Sequence, residues 1–222
     1  VRTFKLLVLG LILQGADFPV YDLTTLRIPG VLQRIAVDYF FVTCVVIFLP
    51  VIDPSFLKQN KYLADVISVP VKYISYWLTA ASIFIIFVCV TYGTAIPDCG
   101  HKRGQVTPAC NAAGLIDKAI LTTNHMYSDP TCLRAIPPCK YFDPEGLFST
   151  FGSSLSTFFG LYFGFILYTH KSHRVRLAHW IPLSLILLLT GITMHFAGLP
   201  LNKNLYSISY IFLMAGTAGL LL

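Results

Sequence analysis

Residues 31–52 read VLQRIAVDYFFVTCVVIFLPVI, and this stretch decides the fold. An apolar run of this length crosses the roughly 30 Å hydrocarbon core of a bilayer as a helix. Lipid offers no partners for free backbone amides and carbonyls, so a spanning segment of this kind is helical. Arg34 and Asp38 lie one helical turn apart within it and share a face. Charge inside a span is costly and marks a bundle interior or a water-filled cavity. A structural ion pair tucked against neighbouring helices accounts for the same spacing equally well.

Working outward, comparable runs occupy residues 4–15, 73–92, 147–168, 180–198 and 205–222, giving about six candidate membrane segments. The run 4–15 is short for a span by itself. Of the 222 residues, 55% are hydrophobic and 12% are charged. The mean hydropathy is +0.70, far outside the range of a soluble domain. The expectation is an all-α, polytopic transmembrane helix bundle: one membrane domain over residues 1–222 with a structured, cysteine-containing loop at 94–146. In such a chain the net charge of +6 sets topology and meets anionic lipid, and it does not point to nucleic acid. Val1 is not a start methionine and Leu222 falls inside an apolar run, so the sequence reads as part of a longer chain.

The connector 170–179, HKSHRVRLAH, carries Lys171, Arg174 and Arg176 and no acid, which places it on the cytosolic side. Counting spans from there puts loop 94–146 and the turn near 199–204 in a lumen or outside the cell. Four of the six cysteines, Cys99, Cys110, Cys132 and Cys139, fall in that single loop, and an even cluster there reads as two disulfides of open pairing. Their spacings are not those of a structural zinc site, and no metal is expected.

The other candidate side chains each admit a bland and a functional role. In DPEG, residues 143–146, Asp143 reads as N-cap, Pro144 as the first helical residue and Glu145 as a first-turn acid or a cavity carboxylate. Ser156, Gly160 and Gly164 repeat every turn as a packing stripe. His125 sits beside Asn124 and Tyr127 in a polar loop. In the turn between the last two runs, Asn202, Lys203 and Asn204 form either an interfacial snorkel or a polar rim for an anionic or hydroxyl-rich ligand, with Ser207 and Tyr210 following. There is no nucleophilic triad and no phosphate-cradling glycine loop.

Four ordered blocks carry a resemblance: RIPGVLQRIAVDYF (27–40), CNAAGLIDKAILTTNHMYSDP (110–130), FDPEGLFSTFGSSLSTFFGLYFG (142–164) and PLNKNLYSISY (200–210). Together they resemble the heparan-alpha-glucosaminide N-acetyltransferase family, and the loop IPDCG…PACNAAG looks most like its plant-type members. The resemblance implies a multispan enzyme of the lysosomal or vacuolar membrane. It would move acetyl from cytosolic acetyl-CoA, its donor substrate, to a lumenal amine such as a terminal glucosamine. It makes Arg34, His125, Tyr127, Glu145, Asn202, Lys203 and Asn204 candidate cavity residues, and Asp38 joins them through its charge within the span. It assigns the catalytic base to a histidine upstream of Val1, so that no catalytic residue is expected in this chain and the chain alone is expected to be inactive. Acetyl-CoA, an amine acceptor, lipid and a second copy of the chain are the implied partners. The rival readings are a transporter or channel using Arg34 and Asp38, and a non-catalytic family member that serves in assembly.

Overall fold

The computed structural model describes residues 1–15, 24–53, 68–107, 109–127 and 143–222. They form helices α1 (Arg2–Gly15), α2 (Val31–Phe48), α3 (Ile74–Gly93), α4 (Ala112–Leu121), α5 (Leu147–Thr169), α6 (His173–Phe196) and α7 (Ile208–Leu221), with a short 3₁₀ turn at Pro97–Cys99. The fold is all-helical, and among the described residues it has no strands, only two isolated β-bridges. Helices α2, α3, α5 and α6 are long and apolar enough to cross a membrane. The runs at 4–15 and 205–222, expected as spans, appear as helices of 14 residues each. Large apolar side chains on the long helices stand exposed, Phe48 at 79%, Leu78 at 62% and Ile186 at 61% among them, as lipid-facing residues do.

The chain divides into two compact units, the first comprising Val1–Phe41, Phe84–Ser153 and Lys203–Tyr206 and the second Val42–Ile83, Ser154–Asn202 and Ser207–Leu222. In the first unit α1 meets α2 through polar groups: Gln14 donates to the Pro29 carbonyl at 2.5 Å and accepts from Gln33 at 2.6 Å. Phe87 and Phe148 stack with ring centres 5.2 Å apart. The loop after α3 is fastened locally. Ile96 and Lys102 form a bridge, as do Val106 and Asn111, and Cys99 is disulfide-bonded to Cys110. Gly100 takes the left-handed backbone that closes the 3₁₀ turn, with φ of 69°. Asn111 then caps α4 by accepting from Gly114 at 2.6 Å and donating to Thr107 at 3.0 Å. One of the two expected disulfides is therefore present; Cys132 and Cys139 lie outside the described residues.

The second unit is packed by shape. An alanine-sized side chain at Gly191 would meet Leu213 backbone at 2.5 Å, and one at Gly216 would meet Ser184 carbonyl oxygen at 2.6 Å, so α6 and α7 approach at backbone distance. Trp180 donates its indole N–H to Gly219 of α7 and packs 4.7 Å from Phe163. Tyr73 stacks on Phe165 at 3.7 Å, and Trp77 meets Tyr162 edge-on at 5.1 Å. The connector 170–179 departs from the expected loop, because α6 already begins at His173. Arg176 explains why: it donates to the carbonyls of His170 at 2.5 Å and Leu167 at 2.8 Å, so a basic side chain of the new helix satisfies the last carbonyls of α5. The small-residue stripe on α5 is not buried as expected at its far end, since nothing lies within 4 Å of a side chain added at Gly160 or Gly164.

Candidate functional site

The first unit gathers most of the sequence candidates around two arginines. The DPEG segment is a turn rather than the first turn of a helix. Asp143 accepts from the Glu145 amide at 2.9 Å, and Gly146 N–H donates to the Asp143 carbonyl at 3.1 Å, with Pro144 preset for the bend. Helix α5 starts only at Leu147, so Asp143 is not its N-cap. Its carboxylate is committed elsewhere, to Arg27 (Nη2 at 2.6 Å, Nε at 3.0 Å) and to the Tyr127 amide at 2.9 Å. Arg27 also reaches Glu145 at 2.5 Å and lies 4.3 Å from the centre of the Tyr127 ring. Burial disfavours the charged guanidinium, but the hydrogen bonds and attraction of Asp143 and Glu145 outweigh it and hold the Arg27 pKa above its ordinary value.

His125 is bound into the same corner. Its Nδ1 lies 2.8 Å from the Leu26 carbonyl, and its own carbonyl accepts from Ile28 N–H at 3.2 Å. A carbonyl only accepts, so Nδ1 carries a proton and donates to it.

Arg34 occupies α2 without spending its charge on the one-turn pair suggested by the sequence. It donates to the Pro144 carbonyl at 2.9 Å and to the Ser149 hydroxyl, its Nε has no partner among the described residues, and the Tyr206 ring lies 5.2 Å away across the guanidinium face. Glu145, Asp38 and Asp143 act on it electrostatically. Asp38 is buried and accepts from Ser153 at 2.5 Å. Tyr206 holds its place over Arg34 in a left-handed backbone, φ 53°, unusual for an aromatic residue. Gly152 makes room for it: a side chain there would meet Tyr206 Cβ at 3.0 Å.

Asp117, which sequence reasoning did not single out, completes the cluster. It is fully buried on α4 and accepts from the Phe148 amide at 3.0 Å, doing for α5 what Asp143 was expected to do. Its Oδ2 has no partner among the described residues, and burial raises its pKa to about 6. A signal for it exists in the sequence: Ala113, Asp117 and Leu121 recur at one-turn spacing, and all three are buried, so the acid lies on the apolar face.

The Asn202–Asn204 segment divides. In the second unit Asn202 closes a turn, its N–H donating to the Ser207 hydroxyl and its carbonyl accepting from Ser207 N–H, both at 3.0 Å. Ser207 then caps α7. In the first unit Lys203 stands exposed with its carbonyl accepting from Tyr206 N–H at 3.2 Å, and Asn204 is half-buried. The structure therefore groups Arg34, Asp38, His125, Tyr127 and Glu145 in one unit with Arg27, Asp117, Asp143, Ser149 and Tyr206, and gives Asn202 a turn-closing role.

No family model matches the sequence. Among curated proteins, the heparan-alpha-glucosaminide N-acetyltransferase of Mus musculus is 32% identical over 231 residues, covering 95% of this chain and 35% of that protein. The Homo sapiens protein of the same name is 27% identical over 239 residues, covering 100% of this chain and 36% of that protein. The chain thus spans about a third of the length of the curated relatives it matches.

Proposed function

This chain belongs to the heparan-alpha-glucosaminide N-acetyltransferase family along the stretch it shares with those relatives, and on that premise we propose that the full protein is a membrane N-acetyltransferase. It takes acetyl from acetyl-CoA on the cytosolic side and delivers it to an amine, such as that of a terminal glucosamine, in the lumen of a lysosome or vacuole. In the reaction the amine lone pair attacks the thioester carbonyl, the C–S bond breaks, the thiolate departs with its electron pair, and a base removes the ammonium proton. The family resemblance expects that base from outside these 222 residues.

The observation that carries the reading is the state of Arg34. A guanidinium in an apolar helix that is held by neutral oxygens, with one N–H unassigned among the described residues, is a preorganised donor for a developing oxyanion or an acceptor hydroxyl. A purely structural arginine would be matched to a carboxylate, as Arg27 is with Asp143. In this reading Glu145 and the Tyr127 ring, both already organised by Arg27, form the wall that orients the acceptor sugar, with Lys203 and Asn204 as its outer edge.

Sealed vesicles containing the full-length protein, with radiolabelled acetyl-CoA outside and glucosamine inside, test this. Label is expected on the enclosed amine. No label on the enclosed amine, together with uptake of unmodified glucosamine when labelled glucosamine is supplied outside instead, would replace the proposal with transport.

A further inference from the structure

A fully buried carboxylate with one idle oxygen calls for a reason, because asparagine would accept the same amide bond without the cost of burying a charge. Among the described residues, Asp117 is such a group. Its surroundings are the first amides of α5 at Leu147 and Phe148, Asp143 from the turn before α5, and Arg34 from α2; Asp143 opposes its charge and Arg34 favours it. Gly146 lies directly against the carboxylate, where any side chain would collide with it. The same short segment delivers both oxygens that hold Arg34, namely Pro144 O and Ser149 Oγ, and Ser149 in turn donates to Gly146 O at 2.9 Å. A relay therefore runs from Asp117 through Gly146 and Ser149 to the guanidinium. Behind Asp117, α4 is fastened by the Asn111 cap and the Cys99–Cys110 disulfide, so the relay starts from a braced element.

We infer that Asp117 is a positioning residue for Arg34: its ionised carboxylate fixes the first turn of α5 and so the two oxygens that hold the guanidinium, and protonation of that carboxylate slackens the hold. The inference rests on the proposed acetyl-transfer reading for its kinetic consequence, but not for its structural one. Proton uptake by Asp117 removes the negative end that the helix N-terminus and Arg34 both favour, while the neutral acid still accepts from the Phe148 amide. The transition falls in the range of a mildly acidic lumen, since burial places this group near pH 6.

The test compares full-length wild type with Asp117→Asn in detergent, using acetyl-CoA and glucosamine. Wild-type kcat/KM is expected to fall roughly tenfold from about pH 7 to about pH 5, and the variant to stay flat at the low wild-type level. An acid limb that persists in Asp117→Asn, or a loss that is equal at every pH, overturns the inference. A second readout does not depend on catalysis. In thermal unfolding, Asp117→Asn and Ser149→Ala are expected to be non-additive, because both act on one relay; additive effects overturn the inference even if the enzyme is active. If wild type transfers no acetyl, the proposed function fails and the unfolding cycle still decides the role of Asp117. If Asp117→Asn does not fold, Ser149→Ala alone is read: a lowered kcat/KM with a weakened acid limb supports the relay, and an acid limb of wild-type depth overturns it.

Discussion

The two units of this chain solve the problem of order in a membrane protein by opposite means. The second is held by shape, with glycines of α6 and α7 at backbone contact and aromatic rings stacked between helices. The first is held by charge, with Arg27 clamped between Asp143, Glu145 and Tyr127, and Arg34, Asp38 and Asp117 buried or half-buried close by. Interhelical packing alone suffices to fix helices in lipid. Burying ionisable groups is an expense that shape does not require, so the difference teaches where chemistry is to be sought.

The contrast can be broken most forcefully at Asp143. Asp143→Ala removes the fully buried partner of Arg27 and leaves the Tyr127 and Glu145 amides without their acceptor, and it is expected to cost about 3–5 kcal/mol in unfolding free energy. A cost below about 1 kcal/mol, read from denaturant unfolding, would mean that the first unit is not held by charge. Next comes the brace: Cys99→Ser with Cys110→Ser opens a short loop and is expected to cost roughly 2–3 kcal/mol, checked by the fall in thermal midpoint on reduction.

Shape is tested at Gly216. Gly216→Val presses a branched side chain into Ser184 and Leu188 and is expected to cost about 1–3 kcal/mol, with no change in the pH dependence of stability. Asp117→Asn sharpens the comparison by pH instead. The folded pKa of Asp117 lies above its unfolded value, so the native state binds the proton more tightly and gains stability as pH falls from about 6 toward about 4. Thermal midpoints of wild type against Asp117→Asn should show that gain only in wild type. The smallest effect belongs to Lys203, which stands exposed; Lys203→Ala should change unfolding free energy by less than about 0.5 kcal/mol, and a larger loss would show that it holds the fold.

What the sequence disclosed and what it concealed divide along the same line. Spans follow from run length, a local property, so α2, α3 and α5 begin within a residue of expectation, while α6 starts earlier because Arg176 folds back onto α5. Charged residues disclosed themselves when they interrupted an apolar run, as Arg34 and Asp38 do. Arg27 and Asp143 stayed hidden in proline turns whose local chemistry has an adequate bland explanation, and their pairing joins residues 116 apart. The cap on α5 was read from Asp143, its neighbour in sequence, whereas the structure supplies it from Asp117, 31 residues away. Tyr206 was equally illegible as a partner of Arg34, since its left-handed backbone is imposed by the fold and not by residue type.

On the proposed function, Arg34 is held for chemistry rather than for stability. Arg34→Gln in the full-length protein, assayed for radiolabelled acetyl transfer to glucosamine alongside thermal unfolding, measures it directly. A fall in kcat/KM of about a hundredfold or more is expected, with a thermal midpoint close to that of wild type. Transfer at the wild-type rate, or a loss of activity that only follows a loss of fold, would contradict it.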